Sequence, residues 1–415
     1  MKNFREGVKE NLNVLRGNLG VLVFSASLWA VAGTLVGPFF SLYILGLGGS
    51  YFDIGLVSAV GSLCGIAPTL IAGHLADAVG RRKLFLPMNF LASFSYFILS
   101  QAPSWHFILI GHALESLFFG FRGPAFSALV ADSTKPKRRA LAYALWMRIP
   151  QTVAIASPYI AGVFIDKYAV VVAMRWFYAF TFIMSFTASM IRYKFVKETL
   201  SGPSSPSNGV LNGLKSSLRF LVKPEKGISR QVFVIFAVSI ILNLGFAVTG
   251  NYWITYAVED VIGLTATEWG FITLVQGGVL TGFAIISAVI SDKYGRVKVI
   301  ALSLVLTPIT IILFPYCQAF NQVLTLLVIK SVLEGFRVAS FSAILTDYSP
   351  RGYRGRIEAN LRLVSNVSTM VGSLWGGYIY QNYFKALPFT VNALIIGITA
   401  ALFILKVKEP TEREE

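Results

Sequence analysis

Six ionisable side chains lie in stretches otherwise apolar enough for a membrane interior: His112, Glu115 and Arg122, then Lys330, Glu334 and Arg337. Glu115 and Arg122 are spaced i, i+7; Lys330, Glu334 and Arg337 are spaced i, i+4, i+7. In a helix both spacings put the charges on one face. A charge at the bilayer centre costs ~2.5–3.5 kcal/mol on insertion scales, so that face is expected to line an interior cavity. The chemistry offered is ion binding and proton movement. Glu115 and Glu334 are the carboxylates deep in such stretches. Burial raises a carboxyl pKa and a nearby Arg or Lys lowers it, so a cavity alternating between these conditions loads and releases a proton. Both are proton-coupling candidates, with His112 a third. Arg122, Lys330 and Arg337 are expected to line a substrate cavity. The alternative is that the charges are structural pairs fixing helix register, with His112 a helix-packing residue.

Aromatic and amide side chains extend this surface. Phe39, Phe40 and Tyr43 resemble Tyr252, Trp253 and Tyr256. Phe40, Tyr252, Trp253, Asn243, Asn251, Gln151 and Asn366 are the further cavity candidates, while Tyr43 and Tyr256 read as interfacial-belt aromatics.

The elements that must position these groups follow from composition. Of 415 residues, 55% are hydrophobic and 13% charged, too little polar surface to cover soluble domains. With 33 Phe and 2 Cys, disorder and a disulfide scaffold are excluded. Residues 17–52 carry no charge, and a helix needs roughly 20 apolar residues to cross the hydrocarbon layer. The pattern predicts twelve transmembrane helices, near 20–45, 54–76, 83–102, 106–130, 142–164, 170–191, 231–256, 267–290, 299–317, 322–346, 357–380 and 386–405. The first is too long for a cleavable signal and lacks a small-residue cleavage site.

The net charge of +16 is a topology signal rather than a nucleic-acid footprint. With an even number of spans both termini share one side. That side holds 28 Lys and Arg, and the opposite loops hold three, Lys167, Arg175 and Lys385. Both termini are therefore expected in the cytoplasm of a cell that carries the chain in its plasma membrane, with anionic lipid head groups as partners of the basic loops. Cys64 and Cys317, one in each half, are read as unpaired.

The expected organisation is a cytoplasmic segment 1–19, a six-helix bundle 20–191, a cytoplasmic linker 192–230, a second bundle 231–405 and a tail 406–415. Residues 201–209 are linker by composition. Leu211, Leu214, Leu218 and Leu221 recur at helical spacing, which suits either a helix on the membrane surface or a solvated basic connector.

The halves repeat. Gly73, Asp77, Gly80, Arg81, Arg82 and Lys83 follow span two; Asp292, Gly295, Arg296 and Lys298 follow span eight at an offset of 215. The same offset carries Gly48 to Gly263, Asp53 to Glu268, Gly55 to Gly270 and Gly162 to Gly377. It also takes Glu115 to Lys330 and Arg122 to Arg337. Two parallel halves imply a pseudo-two-fold along the membrane normal, which would set Glu115 opposite Lys330. Gly73 would admit close approach of another helix and Gly80 a tight turn; Asp77 can accept bonds from Arg81 or a helix N-terminus.

The segment Gly73-x-x-x-Asp77-x-x-Gly80-Arg81-Arg82-Lys83 resembles the signature loop of the major facilitator superfamily, with Ala78 where the family often has a base. The second copy keeps Lys293 but has Ala288 for the first Gly. The resemblance implies two pseudo-symmetric six-helix bundles, a secondary transporter working by alternating access, and a cavity lined by spans one, four, seven and ten. The loops would then gate the cytoplasmic face by holding the halves together. Ser157-Pro158-Tyr-Ile-Ala161-Gly162 is similar to the family's antiporter signature Gly-Pro-x-x-Gly-Gly, departing at Ser157 and Ala161. It implies proton-coupled export of small amphipathic, drug-like compounds. Uptake or exchange of an organic anion or zwitterion bound by Arg122, Arg337 and Lys330 is the alternative, and a transport-inactive sensor or scaffold the reading from another class. No phosphate-binding Gly-x-x-x-x-Gly-Lys-Ser/Thr loop occurs and no Cys/His cluster suggests a metal. The expectation is a non-enzymatic, cofactor-free monomer acting on a small molecule and protons.

Overall fold

The computed structural model describes residues 15–134, 138–200, 229–349 and 354–409. The linker at 201–209 and the leucine pattern at 211–221 lie outside them. The described residues form twelve helical spans in two six-helix bundles. In the first bundle span one comprises Asn18–Val36, a 3₁₀ turn Gly37–Phe39 and Phe40–Gly46. Spans two, three and four are Tyr51–Val79, Arg81–Ser100 and Trp105–Asp132. Span five is two helices, Arg139–Val153 and Ser157–Tyr168, and span six is Val170–Phe195. In the second, span seven is Arg230–Thr249 followed by a π-helical turn, Thr255–Asp260. Spans eight to twelve are Ala266–Tyr294, Arg296–Leu313 (extended by a 3₁₀ turn, Phe314–Tyr316), Phe320–Tyr348, Arg354–Asn382 and Leu387–Lys406.

Seven segments are long and apolar enough to cross a membrane by themselves, from spans one, two, three, six, seven, nine and twelve. Spans four and ten, which carry the interior charges, and spans five, eight and eleven are not among them. Such helices tolerate membrane depth because neighbouring helices satisfy their polar groups.

Local chemistry explains the boundaries. Ser50 and Asp53 form a capping box at the start of span two, and their offset partners Thr265 and Glu268 form one at the start of span eight. Gly80 and Gly295 join spans two to three and eight to nine with φ of 112° and 96°, a region that favours glycine.

Three expected spans, one, five and seven, lose regular helix part-way. Span five breaks at 154–156, because Pro158 has no N–H to donate to the Ala154 carbonyl. That carbonyl instead accepts from the Ser157 amide at 3.0 Å and the Thr34 hydroxyl at 3.4 Å. Span seven stops at Thr249, and the Asn251 carbonyl accepts from the Ser41 hydroxyl at 2.8 Å. An offset of 213 takes Gly37, Phe39, Phe40 and Tyr43 to Gly250, Tyr252, Trp253 and Tyr256, so spans one and seven lose regular helix at equivalent places. Tyr43 and Tyr256 are not belt aromatics. Both are buried, their hydroxyls donating to the Leu99 and Pro315 carbonyls at 2.9 and 3.1 Å.

The halves meet where the repeat is best kept. A Cβ on Gly55 would strike the Ser373 carbonyl of span eleven, and one on Gly270 the Pro158 carbonyl of span five. Gly162 lies equally close to the Ala266 carbonyl, while its offset partner Gly377 meets Phe52 and the Tyr252 hydroxyl less tightly, a Cβ there coming 3.1–3.2 Å from them. Ser373 and Pro158 are offset partners, so one close crossing is built twice: span two on eleven, and span eight on five.

Candidate functional site

A cavity of about 300 Å³ opens between the halves at the two helix breaks. Gly37, Pro38, Phe40 and Ser41 face it from span one, Gly250, Asn251, Trp253 and Ile254 from span seven. Trp269, Thr273 and Gln276 of span eight and Leu327 and Lys330 of span ten complete it. Unwound backbone at such a break presents amide and carbonyl groups a regular helix would consume. The Lys330 ammonium stands 5.2 Å from the Trp253 ring centroid.

Each of the two carboxylates finds its partners within its own half. Glu115 accepts from the Tyr96 hydroxyl at 2.8 Å and lies 3.4 Å from His112 Nδ1; the His112 ring is 5.1 Å from that of Phe40. Tyr96 in turn accepts from the Trp29 indole at 2.9 Å. Glu334 lies 3.6 Å from Lys330 and 3.8 Å from Arg337. No Glu115–Lys330 ion pair occurs among the described residues, so the expected mid-membrane pair is not formed in this conformation. Glu115 has nearer partners in its own half, and so has Lys330.

The other cavity candidates divide. Phe40, Asn251, Trp253 and Lys330 line the cavity. Asn251 also reaches across the halves, donating to the Ser58 hydroxyl at 2.8 Å. Tyr252 is fully buried, stacks on Tyr380 with centroids 4.6 Å apart and donates to the Tyr51 carbonyl. Asn243 bonds Ser239 and Ser365 between spans seven and eleven. Gln151 is exposed, and Asn366 faces Gly65 of span two. None of these last four lines the cavity.

The signature loops contact their own halves. Arg81 pairs with Asp132 and, at 3.6 Å, with Asp77. Arg82 donates to the Val196 and Tyr193 carbonyls at 2.7 and 2.8 Å, and its amide to Glu198. Arg296 pairs with Asp347 and, at 3.3 Å, with Asp292, while its amide donates to Glu409 at 2.8 Å. These bonds tie spans two and three to four and six, and eight and nine to ten and twelve. The loops were expected to join the halves and Gly73 to receive another helix; among the described residues nothing lies within 4 Å of a Cβ built on Gly73. At the other end the halves are clasped together.

Sequence reading missed that clasp. The Tyr51 amide donates to Gln381 Oε1 at 3.0 Å, and the Ala266 and Thr267 amides donate to Asp166 at 3.0 and 2.8 Å. Asp166 and Gln381 are offset partners, as are Tyr51 and Ala266, so the repeat carried the signal. Beside them Asp260 accepts from the Tyr51 and Tyr380 hydroxyls, and Lys385 lies 3.4 Å from the Tyr51 ring centroid. Burial pushes the Lys385 ammonium below the ordinary lysine value, with Asp260 opposing.

Also missed was a polar cluster inside the first half. Arg192, 5% exposed, donates from Nε to Ser25 at 2.8 Å and from Nη1 to Asn89 Oδ1 at 2.5 Å. Arg122 donates to the same Oδ1 at 3.2 Å and lies 4.4 Å from the Phe119 ring centroid. Ser93 bonds Ser185 at 2.8 Å nearby. The available signal was Ser185, Ser189 and Arg192 at i, i+4, i+7.

Two broken helices around a cavity, doubled crossings and doubled loops match what comparison with known proteins finds. The major facilitator superfamily model matches residues 22–289 and 235–415. The multidrug resistance protein MdtG of Dickeya zeae is 22% identical, covering 96% of each chain. A multi-drug resistance efflux pump PmrA homolog of Lactococcus lactis is 24% identical over 88% of this chain and 89% of its own. Among solved structures, a POT family transporter in complex with a thioalcohol-conjugated peptide superposes with a TM-score of 0.75 at 14% identity, over 93% of this chain and 95% of its own. That likeness is one of fold. The chain is a multi-pass membrane protein and belongs to the major facilitator superfamily, a family of transporters.

Proposed function

We propose that this protein is a plasma-membrane secondary transporter that exports small amphipathic compounds in exchange for protons. The observation that carries the reading is the clasp at one end. The halves are joined there by Asp166, Gln381, Tyr51 and Asp260 around a cavity, while the bonds described for Arg81, Arg82 and Arg296 of the signature loops lie within their own halves. That is one of the two states an alternating-access carrier needs. The multidrug relatives support the substrate class. The basic loops and termini face the cytoplasm and anionic lipid, so this state opens inward. Phe40, Trp253 and Trp269 give the cavity its apolar walls; Lys330, Asn251 and Gln276 give it polar points. The protein works as a monomer.

Proton coupling is assigned to Glu115, which shares its hydrogen bonds with His112 and Tyr96 beside the cavity residue Phe40. Protonation would release His112 and let the Phe40 ring move. The experiment is reconstitution of the purified chain into liposomes with an imposed acid interior. A fluorescent amphipathic dye should accumulate inside, wild type should do so only with the gradient, and Glu115→Gln should lose gradient-driven uptake while keeping dye–dye exchange. Dye movement indifferent to the gradient would overturn proton coupling. Retained coupling in Glu115→Gln with loss in Glu334→Gln would move the proton to Glu334.

A further inference from the structure

Arg192 is a cation nine-tenths buried, and the partners it is seen to bond are neutral: the Ser25 hydroxyl and the Asn89 amide oxygen. Arg122 leans on that same oxygen. No carboxylate lies within ion-pair distance of either guanidinium among the described residues. The second half is built otherwise. Arg337, the partner of Arg122, has Glu334 at 3.8 Å; the first half has Phe119 where the second has Glu334. The offset partners of Asn89, Ser185 and Arg192 are Leu304, Ala400 and Val407, all buried and apolar. Position 238, equivalent to Ser25 under the 213 offset, is buried Val238. Two guanidiniums sharing one amide oxygen repel each other in a low-dielectric interior, and an uncompensated buried cation is costly. The second half shows that the fold does not require either expense.

We propose that Arg122, Asn89 and Arg192 form an anion-binding site in the first half, and that it takes the carboxylate or sulfonate head of an amphipathic substrate. Arg122 is the contact residue. It is partly open, it lies on the face of span four that carries Glu115, and the rings of Trp29 and Phe119 beside it suit the substrate's aromatic body. Arg192 is a positioning residue. Too buried to touch a ligand, it holds the Asn89 oxygen and adds a second positive charge behind Arg122. The incoming anion supplies the ion-pair partner that neither guanidinium has among the described residues. This rests on the reading of the interior as a substrate path, and narrows the substrate to amphipathic acids.

The test is equilibrium binding to the purified full chain in detergent, with no gradient, so that it stands or falls separately from coupled transport. The probes are 2-naphthoate and 2-naphthamide, alike in shape and different in charge, read by the rise in Tm with concentration. Naphthoate should bind at least tenfold tighter than naphthamide, with the preference shrinking as salt rises. Asn89→Asp places a carboxylate between the two guanidiniums. It should raise Tm without ligand and reduce the preference for naphthoate at least tenfold. Arg122→Gln should abolish the preference, whereas Arg337→Gln should keep it. Equal binding of acid and amide to the wild type overturns the proposal. So does a preference that survives both Asn89→Asp and Arg122→Gln, which would place the anion at Lys330 or Arg337.

Discussion

The two halves agree where they touch and differ where they carry charge. At the clasped end the repeat is kept in position: Gly55 with Gly270, Gly162 with Gly377, and Asp166 with Gln381 as caps on the opposite half's helix. Deeper in, Glu115 faces the same register as Lys330, Phe119 the same as Glu334, and Arg192 the same as Val407. A rocking carrier needs one interface to open and close symmetrically about the pseudo-two-fold. It needs no symmetry in what it binds. The shared positions are therefore mechanical, and the divergent ones are where substrate and proton specificity is expected.

The largest effect should come from breaking the mechanical symmetry. Gly162→Val puts a branched side chain against the Ala266 carbonyl. Backbone cannot yield as a side chain can, and overpacking of this kind costs ~1–3 kcal/mol or more. The clasped end should fail to close, so single cysteines placed at Tyr51 or Thr267 should become accessible to a water-soluble thiol reagent, and transport should stop. Gly73→Ala is the contrast. With nothing within 4 Å of its Cβ, it should leave accessibility and Tm unchanged in this state. Equal effects of the two substitutions would dissolve the distinction between the tight crossing at Gly162 and the open space beside Gly73.

The clasp was legible in principle. Its capping residues Asp166 and Gln381 obey the same 215 offset as the signature loops, and Gly55, Gly162 and Glu268 stand out from the repeat alone. What the repeat could not give was which of its equivalences touch. Glu115 and Lys330 occupy matched positions, yet hydrogen bonds to Tyr96 and His112 hold one and Glu334 holds the other. Pseudo-symmetry fixes depth, not contact. The Arg192 cluster was hidden for another reason. Arg192 sits at the linker side of span six and counts as one more basic residue in a topology tally, and its partners Ser25 and Asn89 lie 167 and 103 residues away. The interruption of span seven was hidden because Gly250-Asn251 is a mild signal, and it is a hydroxyl from the other half, that of Ser41, that takes up the Asn251 carbonyl.

A middle-sized effect separates the charge sets. Lys330 and Glu334 touch at 3.6 Å, so Lys330→Met and Glu334→Gln should be non-additive in Tm. Glu334 is 39% exposed on its side chain, which limits the coupling to ~0.5–1 kcal/mol after solvent screening. Lys330→Met and Glu115→Gln do not touch in this state and should add. A double-mutant cycle measures both. Strong coupling between Glu115 and Lys330 would mean that the two sets exchange partners in the state open at the other end, and would restore the pair that their register suggests.

The smallest effect tests a place where the clasp itself is asymmetric. Asp166 caps span eight with a carboxylate, taking the Ala266 and Thr267 amides; Gln381 caps span two with a neutral amide, taking the Tyr51 amide. A carboxylate at a helix N-terminus is worth ~0.3–1 kcal/mol more than a neutral acceptor when exposed to solvent. Asp166→Asn should therefore weaken the closed end by about that much, and Gln381→Glu should strengthen it, with Lys385 near enough to the Tyr51 ring to favour the added charge. In distance measurements between labels on spans two and eleven at this end, the closed-to-open ratio should fall roughly two- to fivefold in the first variant and rise in the second, since 1.4 kcal/mol is about tenfold. The transport rate should move the opposite way to closed-state stability if opening of the clasp limits turnover. A closed population that ignores both substitutions would show that Asp260 and its two tyrosines hold this end without the caps.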